Sequence, residues 1–310
     1  MKMFVGVTDS EWFNILKSMQ CDEVNFWIPS AKSFKVLKSS ELFLFKLHSP
    51  NNYIVGGGYF VNYSILPTFL AWEAFGVKNG TDSLENLNRA VLKYKRRSNI
   101  RKPDLQIGCI ILTEPFFFDR ENWIPVPDNW KNNIVSGKTY TTDEEDGRKL
   151  FQQLQNKLHL QYLSELSEPS VVCEDSTERY RDSVIKHRLG QGAFRILVAN
   201  AYQRRCAITG EKTLPVLQAA HIKPYSRNGM HEVSNGLLLR SDIHTLYDAG
   251  YITIDTDYRI EVSSHLHEDY GNGRDYYKYD GQKLLILPNH DYEMPSKSML
   301  KWHNENVFRG

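Results

Sequence analysis

The chain has 310 residues, 41% of them hydrophobic and 24% charged, and its formal net charge is +1. This composition is typical of a globular protein large enough for two domains, and it excludes nucleic-acid binding driven by overall positive charge. No apolar run reaches the roughly 18 residues needed to span a bilayer, and the segment MKMFVGVTDSEW lacks a secretion signal, so we expect a cytoplasmic protein with no membrane partner.

The first 140 residues predict a mixture of strands and helices. Short apolar runs predict strands over 41–47, 53–61 and 107–113, and SPNN between the first two predicts a hairpin. Helical periodicity follows in LPTFLAWEAFG and in SLENLNRAVLKYKRR, where Ser83 is a suitable N-cap. TTDEEDGRKLFQQLQNKLHLQYL predicts another helix, with carboxylates near its positive end.

A polar, acidic stretch that contains a proline, SELSEPSVVCEDSTE, predicts a linker over 164–179. We therefore expect one domain over 1–163 and a second over 180–310, which opens with a basic helix. Residues 179–205 are rich in Lys and Arg and include one acidic residue, Asp182. This local cluster is the only electrostatic indication of DNA, because the total charge is close to zero.

The sequence of the second domain predicts three local elements in the order strand, strand, helix. LPVLQAAHI ends close to His221, NGLLL starts at Asn235, and SDIHTLYDA carries His244 and Asp248. A neutral imidazole can take a proton from water, and imidazole with carboxylate can hold a divalent cation. His244 and Asp248 are four residues apart and share one helix face. Alternatively, these histidines are ordinary core or surface residues and Asp248 forms a cap or salt bridge.

In the contexts AAHI.P, NGLLL and DIHTLYDAGYITID, the order His221, Asn235, His244 resembles that of the HNH nucleases, whose fold is also called ββα-metal. The resemblance covers about residues 180–310. It implies that His221 is the general base, that His244 binds the cation with Asp248 or Asn235, and that Asn235 steadies the base loop or approaches the metal. It also implies one divalent ion, Mg²⁺ or Mn²⁺, and DNA as the substrate.

Two positions depart from the family pattern. Many members place a metal-binding Asp or His where this chain has Ala220, so Asp248 or Asp242 compensates, or fewer protein groups hold the metal. Many relatives also have a four-cysteine zinc site, whereas Cys206 stands alone in CAITG. We therefore expect no structural zinc.

Other side chains around this motif have weaker patterns. Arg188, Gln191 and Arg195 follow one another at near-helical spacing, which indicates either phosphate contacts on DNA or a solvated helix face. His231 lies in the segment between the two strands, and we expect it to be a surface residue.

The N-terminal segments FWIPS, ELFLFKL, YIVGGGYF, WIP and SGKTY resemble the PUA superfamily, which includes the EVE, YTH and SRA domains. The resemblance covers about residues 20–140 and implies a small, partly closed β-barrel that binds a modified or flipped base. Trp27, Trp123 and Tyr59 are the candidates for stacking on such a base, with core packing as the alternative.

The sequence thus predicts an α+β protein with an N-terminal PUA-like β-barrel domain and a C-terminal ββα-metal HNH domain. The function implied is a modification-dependent restriction endonuclease in phage defence. It would cut double-stranded DNA that carries a modified base, and a homodimer would serve cutting of both strands. Two alternatives remain: a DNA- or RNA-binding regulator without catalysis, favoured by Ala220, and an HNH nuclease directed at RNA.

Overall fold

The structure, a computed structural model, describes residues 1–30, 32–97, 105–131, 133–165, 189–227 and 229–310. The chain divides into two compact units, Met1–His187 and Arg188–Gly310. The predicted linker and the start of the basic helix lie almost wholly outside the described residues, so the predicted domain boundaries stay predictions. Among the helices that the structure describes, none is both long and apolar enough to cross a membrane.

The N-terminal unit is built from seven strands and four helices in its described part. In chain order they are β1 (Lys2–Thr8), α1 (Ser10–Lys17), β2 (Glu23–Ile28), β3 (Leu42–Leu47), β4 (Tyr53–Pro67), α2 (Thr68–Phe75), α3 (Leu84–Arg97), β5 (Gln106–Phe117), β6 (Ile124–Pro125), β7 (Gly137–Thr141) and α4 (Glu145–Glu165). The strands form one sheet in the order β2-β5-β4-β3-β1-β7, with β6 paired to β4. In the described residues β2 and β7 are the two ends of this order. The predicted α+β class is confirmed.

The predicted hairpin is present, since β3 and β4 pair antiparallel on either side of the SPNN turn. The strand β4 extends beyond the predicted 53–61 to Pro67, after which α2 begins. Ser83 caps α3 as predicted, because its hydroxyl accepts a hydrogen bond from the Asn86 amide at 3.2 Å. The parallel pairing of β1 with β3 joins strands that are distant in sequence.

Both faces of this sheet are covered, and β3 is buried along its whole length. Successive side chains of β3 point to opposite faces of the sheet and so belong to two cores. Phe43 and Phe45 pack into one apolar cluster, and Leu42 and Leu44 pack into the other. Continuous hydrophobic character in LFLFKL is the pattern expected of a strand with no solvent-facing side.

The C-terminal unit is assembled from short elements around one apolar core. In chain order they are α5 (Gln191–Ala201), β8 (Leu217–His221), β9 (Gly236–Arg240), α6 (Ser241–Asp248), β10 (Ile252–Ile254), β11 (Ile260–Val262), α7 (His265–Tyr270), α8 (Arg274–Tyr277) and α9 (Lys297–Asn306). The strands β8 and β9 pair antiparallel, and so do β10 and β11. The predicted order strand, strand, helix is therefore present as β8, β9 and α6.

The helix α5 lies very close to the β8–β9 pair. A Cβ atom on Gly236 would lie 2.4 Å from a methyl group of Val198 and 3.1 Å from the Phe194 ring. Gly236 has an ordinary extended backbone (φ −124°), so this position requires glycine for space and not for conformation. The close approach brings the Phe194 ring to the end of β8.

Candidate active site

His221 is the last residue of β8, and its imidazole is held from two directions. Its ring stacks on Phe194 of α5, with centroids 4.1 Å apart and planes 10° apart. Its Nε2 atom lies 3.0 Å from Nδ1 of His231. Burial, with smaller contributions from His231 and His244, lowers the pKa of His221 to about 4. At neutral pH the ring is therefore uncharged and has a lone pair available for a proton.

The segment after His221 is closed by Asn235, which is fully buried. The Asn235 Oδ1 atom accepts from the Lys223 amide at 2.9 Å, and its Nδ2 atom donates to the carbonyls of Lys223 and Met230, each at 2.9 Å. The Asn235 backbone carbonyl also accepts from the Ile222 amide. This pattern supports loop-steadying, because both ends of the side-chain amide are already bonded to the loop.

His244 and Asp248 lie on one face of α6, as their spacing predicts. The His244 Nε2 atom is 3.2 Å from Oδ2 of Asp248. On the other side of the ring, His244 Nδ1 lies 2.7 Å from Oε1 of Gln218, which is on β8. Because an amide oxygen can only accept, this contact places a ring proton on Nδ1. The neutral ring therefore has its lone pair on Nε2, on the side of Asp248, and the protonated ring forms an ion pair with that carboxylate.

Asp242, the other carboxylate considered for the metal, is committed elsewhere. Arg240 binds both of its oxygens at 2.7 Å, and the Tyr276 hydroxyl donates to it at 3.2 Å. Arg240 holds the pKa of the Asp242 carboxyl below its usual value. These contacts favour Asp248 as the carboxylate that compensates for Ala220.

The residues present fit a divalent cation as a partial ligand set. The Nε2 atom of His244 and the Oδ2 atom of Asp248 lie 3.2 Å apart on one helix face, and an imidazole nitrogen and a carboxylate oxygen are both suitable ligands for such a cation. Over the described ranges no group of three or more His, Cys, Asp or Glu side chains converges. In this arrangement His244 and Asp248 would be protein ligands, and water and phosphate oxygens would complete the set.

Cys206 has no cysteine partner in its turn, and its buried sulfur accepts backbone hydrogen bonds instead. The donors are the amides of Thr209 at 3.4 Å and Arg240 at 3.3 Å. These bonds tie the CAITG turn to the start of α6.

The three predicted phosphate contacts have different positions. Arg188 lies outside the described residues. Gln191 is exposed at the start of α5, and Arg195 is half-buried one turn later. Arg195 is adjacent in sequence to Phe194. Their contact with DNA remains a prediction.

The aromatic candidates of the N-terminal unit separate in the structure. Trp27 lines a pocket of about 350 Å³, together with Trp12, Phe34 and Tyr94. Its indole nitrogen donates to the Asn79 carbonyl at 3.0 Å, which fixes the ring.

Trp123 and Tyr59 do not belong to the described lining of this pocket. Both pack against the apolar cores, and the Trp123 indole donates to the Phe118 carbonyl at 3.2 Å. Their positions favour core packing, the alternative weighed from the sequence.

Three residues of the site were not selected from the sequence: Phe194, Gln218 and His231. The expectation that His231 is a surface residue is wrong, because its ring is half-buried and contacts His221. Strand alternation places Gln218 on the same face as Ala220, which was a usable signal. Phe194 gave no signal, since an apolar residue in a helix is ordinary core.

The sequence between the CAITG turn and β10 matches a known family. The family model of HNH endonucleases matches residues 206–255, which contain His221, Asn235 and His244. The C-terminal unit therefore carries an HNH endonuclease domain, and the protein is a nuclease, as predicted. Among curated proteins, none matches this chain.

Solved structures give further similarities, each at 12% identity. The ASCH protein of Zymomonas mobilis has a TM-score of 0.31, over 48% of this chain and 94% of that chain. A mutant of the same protein has a TM-score of 0.32, over 49% and 98%. TagI, a modification-dependent restriction endonuclease, has a TM-score of 0.27, over 92% and 75%.

Proposed function

We propose that the protein is a metal-dependent DNA endonuclease that selects DNA carrying a modified base. The proposed nuclease mechanism rests on one observation: the two histidines of the motif, His221 and His244, lie in different environments. His221 is uncharged and clamped at the end of β8, and His244 presents its Nε2 lone pair beside a carboxylate on α6. One group is suited to take a proton and the other to bind a cation.

In the proposed reaction, His221 removes a proton from the attacking water. His244 and Asp248 would hold a divalent ion, and Gln218 keeps the His244 ring in the tautomer that could bind it. HNH nucleases generally use a divalent metal, which stabilises negative charge on the phosphate. Asn235 fixes the loop that follows the base and is not a metal ligand in this proposal.

The proposed reader is the pocket beside Trp27. A cavity of about 350 Å³ can hold one nucleobase, and aromatic walls suit stacking on a base turned out of the duplex. The polar groups of the lining include Asp9, Ser33 and His48, which could bond the edge of a base. TagI, to which the chain is similar, is itself described as modification-dependent.

The first test is cleavage of three plasmids, unmodified, cytosine-methylated and hydroxymethylated, in Mg²⁺ or Mn²⁺. We expect cleavage of a modified plasmid alone, and none after chelation of the metal. Cutting of all three would retain the nuclease and reject modification dependence. Cutting in chelator would reject the metal mechanism. No cutting of these plasmids or of matched RNA would favour the binding regulator, and cutting of RNA alone would favour the RNA nuclease.

The reader is tested separately with Trp27→Ala. We expect this variant to lose its preference for the modified plasmid, because the base loses an aromatic wall of the pocket. Phe69→Ala is the matched control, since Phe69 is 42% exposed on α2 and does not line the pocket. An unchanged preference in Trp27→Ala would place base recognition elsewhere.

A further inference from the structure

His231 and His221 come from different segments and meet through ring nitrogens. Nε2 of His221 is 3.0 Å from Nδ1 of His231, and the two ring centroids are 5.0 Å apart. The Phe194 ring completes the group, 4.1 Å from the His221 centroid and 5.6 Å from that of His231. The stack on Phe194 sets the plane of the His221 ring, and the contact with His231 sets its rotation within that plane.

The loop that carries His231 is fixed independently of this contact. Asn235 donates to the carbonyl of Met230, the residue before His231, and it bonds Lys223 at the other end of the loop. The His231 ring is therefore presented to His221 by a buried amide clamp, which distinguishes it from a freely moving surface histidine.

The direction of the hydrogen bond follows from what a base requires. A neutral imidazole has one proton, and the nitrogen that receives a proton from water must not already hold it. Because Nε2 of His221 is occupied by His231, Nδ1 is the nitrogen left to act. The single proton must then lie on Nε2 and be donated to Nδ1 of His231. With the opposite direction, both His221 nitrogens would be engaged or protonated, and the ring could not act as a base.

We propose that His231 is a positioning residue, which accepts the Nε2 proton of His221 and thereby keeps His221 Nδ1 unprotonated for the reaction. This inference rests on the proposed role of His221 as the base. After His221 takes a proton at Nδ1, its Nε2–H still donates to His231, so the same contact supports the charged ring. No proton leaves His231 in this scheme.

The test compares His231→Ala with His231→Asn. An Asn side-chain oxygen can occupy nearly the place of Nδ1 and accept the same proton, whereas Ala offers no acceptor. We expect His231→Ala to lower kcat about 10- to 100-fold with little change in KM, as for a misplaced catalytic group. We expect His231→Asn to recover most of the rate. His290→Ala is the matched control, because His290 is exposed and stacks only on Tyr292 among the described contacts.

A second readout needs no cleavage. Long-range ¹H–¹⁵N NMR of the full-length protein reports which nitrogen of each imidazole is protonated. We expect the His221 proton on Nε2 in the wild type and in His231→Asn, and a mixture of tautomers in His231→Ala. A wild-type His221 protonated on Nδ1, or a His231→Ala variant with wild-type kcat, would overturn the proposal. Absence of cleavage by the wild type would reject the proposed function and leave the tautomer test intact.

Discussion

One histidine of the motif, His221, lies at the end of β8, and the other, His244, lies on the outer face of α6. The neighbouring groups of these two imidazoles differ. His221 is stacked on Phe194 and contacts His231 through Nε2, and burial lowers its pKa to about 4. His244 lies between an amide oxygen and a carboxylate that is 61% exposed. The first environment keeps an imidazole neutral, and the second orients a lone pair toward a cation site. Identical side chains thus gain different chemistry from their neighbours.

Replacement of His221 by Ala should have the largest effect on cleavage. Loss of a general base typically lowers the rate about 10²- to 10⁴-fold. Plasmid cleavage would be measured beside DNA binding and metal binding, both of which we expect to be retained. If the variant cut DNA at the wild-type rate, His221 would not be the general base.

Replacement of Asp248, the carboxylate beside His244, should mainly weaken metal binding. We expect Asp248→Asn to lower Mn²⁺ affinity about 10- to 100-fold, as for loss of a ligand or its close support. Isothermal titration with Mn²⁺ measures this directly. Asp242→Asn is the matched control on the same helix, because Asp242 is bonded to Arg240. Equal losses in the two variants would contradict the proposed ligand pair.

Gln218→Ala should have a smaller effect on the same binding. Without its oxygen, the His244 ring can rotate or carry its proton on Nε2, so we expect Mn²⁺ affinity to fall about 10-fold. Gln218→Glu keeps an acceptor and should restore the affinity. Failure of that restoration, with a well-folded variant, would show that Gln218 does not set the tautomer.

Acid should reduce the stability of the C-terminal unit. His221 and His303 both have pKa values lowered to about 4 by burial, compared with about 6.5 in an unfolded chain. Between these values the unfolded chain binds more protons, so stability present above about pH 6.5 is lost as the pH falls toward about 4. For the buried His303 this loss is about 1.4 kcal/mol per pH unit in the window, and for the partly exposed His221 it is smaller.

Hydrogen exchange of peptides from the C-terminal unit, corrected for intrinsic rates, would measure this loss between pH 7 and pH 5. His303→Asn removes one of the two titrating groups and should reduce the pH dependence. Equal stability of the wild type at the two pH values would contradict the lowered pKa values of the two rings.

Local patterns were sufficient for several elements and for the order of the motif, whereas β1, α1 and β2 were not predicted. SPNN predicted the β3–β4 hairpin, Ser83 the start of α3, and the spacing of His244 and Asp248 their common face. The parallel pairing of β1 with β3 was not predicted, because strand partners distant in sequence leave no periodic signal.

The supporting residues of the site were missed for a related reason. Phe194 and His231 reach His221 only after α5 and the loop pack against β8, and neither residue type is unusual at its position. Sequence therefore indicated the candidate reacting groups, while their supporting neighbours were visible only in the packed structure.

Gly236 has a consequence for how this domain can vary. Any side chain there would meet Val198 and push α5 away from β8, and the Phe194 ring would move with the helix. The orientation of His221 therefore depends on a residue with no side chain and no chemistry. Substitution at position 236 would therefore alter the placement of the proposed base without removing any reacting group. Invariance at this position would record the shape of the interface between helix and strand, not a step of the reaction.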